Sequence, residues 1–139
     1  MNIIVERKKV FDRVCSEVFL RGEVKKDEKA DVAAMAQMSA DDKDVFDDLF
    51  AEASKEVLGV LSIWSNPRLA LSDEGATFRV CPPPSWSQMV EELTLAVEVF
   101  IIHKVVNRWM YILGIGAEDF SATDAFEVKR ILTKREKPL

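Results

Sequence analysis

The chain has 139 residues, 48% of them hydrophobic and 31% charged, the composition of an ordinary globular domain with enough apolar surface for one core. That excludes a wholly disordered chain, a collagen and a disulfide scaffold. Net charge is −5, which disfavours a general nucleic-acid binder, because affinity for phosphates is cation-driven, without excluding a local basic patch.

Ile3, Ile4 and Val5 form a short apolar opening, a strand or an extended arm. From Arg7 the period changes: Val10, Phe11, Val14, Cys15, Val18 and Phe19 follow the spacing of a one-faced helix, and Gly22 is its natural stop. Residues 23–31 read as a charged connector and 30–38 as a weak, alanine-rich helix or loop. Ser39 then offers an N-cap with Asp42 three residues later, a capping box. The long helix beyond carries its apolar side from Val45 and Phe46 to Leu61 and Trp64, and Asn66-Pro67 ends it.

After Pro67 the alternation has period two. Leu69 and Leu71, then Phe78 and Val80, flank a turn containing Gly75, which predicts a β-hairpin. Pro82, Pro83 and Pro84 close it. Ser85 with Gln88 marks a second capping pattern, opening a helix that is apolar around most of its girth up to Leu113. Such a helix is buried on several sides: either it is the centre of the domain or part of it packs on another subunit. Glu98, His103, Lys104 and Arg108 interrupt it, which argues for a core helix rather than a membrane span. Gly114 and Gly116 terminate it. A last helix covers 119–134, with Ala125, Val128, Ile131 and Leu132 inward. The layout predicts a mainly α fold, a small bundle of three to four helices with a short β-hairpin insertion. A single helical domain spans residues 1–139, with an extended basic C-terminal tail over 134–139.

Catalytic motifs are scarce. Neither a GxGxxG run nor a phosphate loop occurs. His103 stands alone, read as a packed or partly exposed side chain with no second histidine to share a metal. Cys15 and Cys81 fit no metal spacing and read as free thiols of a reducing compartment, the N-terminus lacking the apolar run of a signal peptide. No catalytic, metal or cofactor-binding residue is assigned.

Two charged clusters remain. Asp41, Asp42, Asp44, Asp47, Asp48 and Glu52 suit a helix N-terminus followed by a solvated face. The sharper alternatives are a cation site, which lacks the glycine turn and ligand spacing of a calcium loop, or an acidic face for a basic partner. In the basic cluster Lys129, Arg130, Lys134, Arg135 and Lys137, the first four match the negative end of the last helix. Lys137-Pro138 lies beyond that explanation and leaves phosphate contact or docking of the tail into an acidic partner open. Trp64 and Trp109 fall on apolar faces and read as core. Trp86, at a helix start, is a staple or an interface anchor.

One arrangement joins these pieces: a first helix (RKKVFDRVCSEVF), an acid-started long helix (SADDKDVFDDLFAEASKEVLGVL), a hairpin, a proline-tryptophan lead (PPPSW) into an apolar helix (VEVFIIHKVVNRWM), and a short helix running into a basic end (VKRILTKREKP). It resembles the small head–tail connector, or adaptor, proteins of tailed bacteriophages and prophages. The likeness covers nearly the whole chain in element order, length and end composition, and the SADDxxxxDDLFxEAS segment matches most closely. The hairpin with its proline triplet and the very apolar third helix depart from the family's pattern. The resemblance implies a non-enzymatic structural protein of the virion, assembled in the host cytoplasm. It implies a homo-oligomeric ring, often of twelve copies, beside the portal and tail proteins, around a channel through which DNA passes without sequence recognition. It also implies a portal-docking segment, here Lys134, Arg135, Lys137, Pro138 and Leu139, with Lys129 and Arg130 leading into it. No cofactor and no membrane partner are expected.

A ring requires head-to-tail contacts, for which the acidic face and the basic end supply opposite signs. The alternative is a helical partner-binding regulatory protein, an acidic inhibitor acting as a monomer or dimer, which has no need of the basic tail. An enzyme has least support, with one histidine and no nucleophile motif.

Overall fold

The computed structural model describes residues 1–24, 37–115 and 120–134. The elements run β1 (Asn2–Glu6), α1 (Arg7–Val24), a one-turn 3-10 helix (Ala40–Asp42), α2 (Lys43–Leu61), β2 (Arg68–Leu71), β3 (Gly75–Arg79), α3 (Val90–Ile112) and α4 (Ser121–Leu132). The fold is mainly α, with four α-helices and a small antiparallel sheet among the described residues.

The hairpin is present, and the N-terminal strand joins it. Strand order is β1-β3-β2, with Ile3 opposite Phe78 and Leu69 opposite Phe78 on the other side. Period-two alternation turns Ile3, Val5, Ala76 and Phe78 inward, where all four are buried. The same alternation sends Asn2, Arg79 and Arg68 to the outer face as one row across the three strands. Ser72 and Gly75 exchange backbone hydrogen bonds of 2.9 and 3.2 Å, closing a turn over Asp73 and Glu74. Gly75 is required there, because a Cβ would land on the Val5 carbonyl oxygen of the neighbouring strand.

Arg7, the first residue of α1, locks three elements. Its guanidinium donates to Asp47 of α2 at 2.7 Å and to the Ser72 carbonyl at 2.7 Å, and lies 4.8 Å over the Phe50 ring. Charge-assisted hydrogen bonds of this kind are stronger than neutral ones. They place the first turns of α2 at the turn end of the hairpin.

Ser39 makes the capping box expected of it: Asp42 accepts from the Ser39 amide at 2.9 Å. The box starts the 3-10 turn, from which α2 continues at Lys43. Two boundaries differ from expectation. α1 passes through Gly22 to Val24, since a glycine stops a helix only where the chain turns left-handed after it. α2 ends at Leu61, so Trp64 is buried from the turn beyond the helix rather than from its face.

α3 is the centre of the domain. It packs against α1, α2, α4 and β1, and Leu93, Val97, Ile101, Val105, Val106 and Met110 are buried among them. Its apolar girth is therefore covered by its own chain, apart from Leu95, Tyr111 and Ile112, which are exposed. Its start is also corrected: Ser85 and Gln88 lie before the helix, which begins at Val90 with Met89 as an uncapped N-cap. The cause is tertiary. The indole of Trp86 donates to the Ile131 carbonyl of α4 at 2.8 Å and stacks edge-on against Trp64, so the residues after the proline triplet are held across α4. At its other end α3 stops as expected. Gly114 takes φ 73°, and the amides of Gly114 and Ile115 return to Tyr111 and Met110, a Schellman motif.

Residues 30–36 of the alanine-rich stretch, Gly116 and the first residue of the predicted last helix lie outside the described residues.

Candidate interaction surfaces

The six residues of the acidic face do different work. Asp42 closes the capping box, Asp47 is held by Arg7 at 2.7 Å, and Glu52 lies 3.7 Å from Arg108 of α3. Asp41, Asp44 and Asp48 are exposed, with Asp44 and Asp48 one turn apart on the outer side of α2. The free part of the face is thus the first turns of that helix.

At the other sign, Arg130 is engaged within the chain. It clamps Glu127 with bonds of 2.6 and 3.1 Å and lies 3.7 Å from Glu92 at the start of α3. The hydrogen bond from Arg130, then its charge and that of Lys134, holds the Glu127 carboxyl below the usual carboxylate range. Lys129 and Lys134 are exposed. Arg135, Lys137, Pro138 and Leu139 lie outside the described residues.

His103 was read as a packed or partly exposed side chain with no second histidine beside it. It is half-buried, and its Nδ1 meets Oδ2 of the buried Asp124 at 2.7 Å, joining α3 to α4. Phe120 packs on the imidazole at 5.2 Å, and Arg21 of α1 stands 5.6 Å over the Phe120 ring while donating to Asn107 at 2.9 Å. A carboxylate-held histidine is oriented as a general base requires. The contact ties α3 to α4, and among the described residues no hydroxyl or thiol hydrogen-bonds the imidazole. The signal in the sequence was Asp124 itself, which sits on the stripe of Val128 and Ile131. Glu98 is a parallel case, buried on α3 and 3.4 Å from Lys9.

Cys15 donates to the Met38 carbonyl at 3.4 Å, and burial, then the charges of Asp12 and Asp42, pushes its thiol pKa up. A cleft of about 280 Å³ lies between α1 and α2, with the edge-to-face Phe11–Phe46 pair, Lys8 and Lys43 in its walls. Its one fixed cation, Arg7, is already held by Asp47. Among the described residues no group of His, Cys, Asp or Glu gathers to hold a metal ion, and no helix is long and apolar enough to cross a membrane.

The outer face of the sheet carries a feature that the sequence reading passed over. Arg68 and Arg79 are direct cross-strand partners, both exposed.

No family model, curated protein or solved structure matches the chain.

Proposed function

We propose that this protein is a structural adaptor of a tailed-bacteriophage virion, a non-enzymatic ring subunit at the head–tail junction beside the portal. The observation that supports it is the separation of free charge: Asp41, Asp44 and Asp48 stand exposed on α2, and Lys129 and Lys134 stand exposed on and just after α4. A subunit that meets its neighbour through two different surfaces needs such unlike patches. The apolar excess of α3 no longer contributes to this reading, because the chain's own core uses it. Contact between copies then rests on charge and on side chains such as Met89, Tyr111 and Phe126, each about two-thirds or more exposed.

Native mass spectrometry of the full chain, alone and with a portal protein, tests the reading, together with negative-stain microscopy of particles made without it. Ring-sized species and tailless or leaking particles are the expected results. DNA-filled, complete virions in its absence would overturn it. Stoichiometric capture of one host enzyme by a chain lacking 134–139 would favour the acidic-inhibitor reading instead.

A further inference from the structure

Resting on the ring reading, we propose that Arg68 and Arg79 of one copy receive Asp44 and Asp48 of the next.

The arginines come first. Ser72 and Gly75 exchange both backbone hydrogen bonds, so the alternation of an antiparallel ladder makes Ala70–Thr77 and Arg68–Arg79 hydrogen-bonded pairs too. The two arginines thus leave the same outer face from Cα atoms about 5.5 Å apart. Like charges directly opposite each other weaken a sheet. Here neither is relieved: among the described residues the side chains of Arg68 and Arg79 make no ion pair or hydrogen bond. Arg7, Arg108 and Arg130, by contrast, each meet a carboxylate of their own chain.

The spacing selects the occupant. Asp44 and Asp48 are four residues apart on α2 and exposed, which sets their Cβ atoms about 5–6 Å apart and makes them a like-charge pair of the destabilising kind. Two guanidinium forks and two carboxylates at matching separation form two charge-assisted pairs side by side. Each pair of like charges is relieved by the other.

The fold keeps the two pairs from meeting within one chain. Arg7 bonds both Asp47 and the Ser72 carbonyl, fixing the start of α2 at the turn end of the hairpin. Arg68 and Arg79 lie at the opposite end of the same strands, four residues or about 14 Å away. A donor pair at one end and an acceptor pair at the other produce a head-to-tail contact, which propagates from copy to copy.

The test uses the full chain with two double reversals, Arg68→Glu with Arg79→Glu, and Asp44→Lys with Asp48→Lys. All four side chains are exposed, and circular dichroism melts confirm that each variant folds. Sedimentation velocity and native mass spectrometry read the assembly. Each variant alone is expected to associate about tenfold or more weakly than the unmodified chain. An equimolar mixture of the two is expected to reassemble in one-to-one alternation, since the new Glu pair faces the new Lys pair. An unmodified chain that stays monomeric at all concentrations overturns both this contact and the ring. Unmodified rings that ignore either reversal, or variants that fail to assemble when mixed, overturn this contact alone. So does a 30-base-pair duplex bound by the unmodified chain and released by the arginine reversal with assembly unchanged, because the arginines then serve phosphates.

Discussion

The indoles of Trp64 and Trp86 meet edge to face, 5.0 Å between ring centroids, and donate to adjacent carbonyls at the end of α4, Leu132 at 3.1 Å and Ile131 at 2.8 Å. The last carbonyls of a helix have no intrahelical partner. Two residues far away in sequence therefore help to cap α4, whose own Thr133 hydroxyl turns back on the Lys129 and Arg130 carbonyls. The same contacts bind the turn after α2 and the segment before α3 to one point.

Replacing either indole with phenylalanine keeps most of the packing and removes the donor. Trp64→Phe, at a site 3% exposed, is expected to cost about 1–3 kcal/mol, and Trp86→Phe, half-buried, about 1 kcal/mol. Urea melts measure both. Amide exchange at Thr133 and Lys134 should quicken in each variant, whereas equal costs with unchanged exchange would mean that the indoles contribute packing alone.

Two glycines should respond with opposite signs. Gly75→Ala drives a methyl group into the Val5 carbonyl and should cost about 2–4 kcal/mol by spreading β1 from β3. Gly59, inside α2, has open space around an added Cβ, so Gly59→Ala should stabilise the chain by about 0.5–1 kcal/mol through helix propensity. Thermal unfolding of both variants beside the parent provides the comparison.

Removing His103 leaves Asp124 as a buried carboxylate without its partner. His103→Ala is expected to cost about 1–3 kcal/mol. His103→Leu with Asp124→Leu together should cost less than the two single changes summed, because neither partner is then stranded. A double-mutant cycle in denaturant gives the coupling, and strict additivity would show that the 2.7 Å contact contributes nothing to stability.

The thiols should separate by reactivity. Cys81 is exposed and Cys15 is half-buried with its pKa raised. A raised thiol pKa means less thiolate at pH 8, and thiolate is the reactive species. An aromatic disulfide reagent at pH 8 should modify Cys81 quickly and Cys15 slowly. Raising the pH further should speed Cys15, and Asp12→Asn should speed it at fixed pH by removing a neighbouring negative charge.

The sequence alone determined what depends on neighbours a few positions away. The 3.6-residue period marks α1, α2 and α4, the two-residue period marks the hairpin, and the Ser39 capping box and the Gly114 stop sit where they were read, since each is a contest among local backbone hydrogen bonds. Tertiary closure decided the rest. It added β1 beside β3, held the proline-tryptophan segment across α4 so that α3 begins at Val90, and surrounded α3 with its own chain. It also sorted the charges, binding Asp47 to Arg7 and Glu52 to Arg108 while leaving Asp44 and Asp48 free, and pairing His103 with Asp124. These outcomes depend on which surfaces come together across the chain, where burial and long-range pairing outweigh the preferences of any short segment.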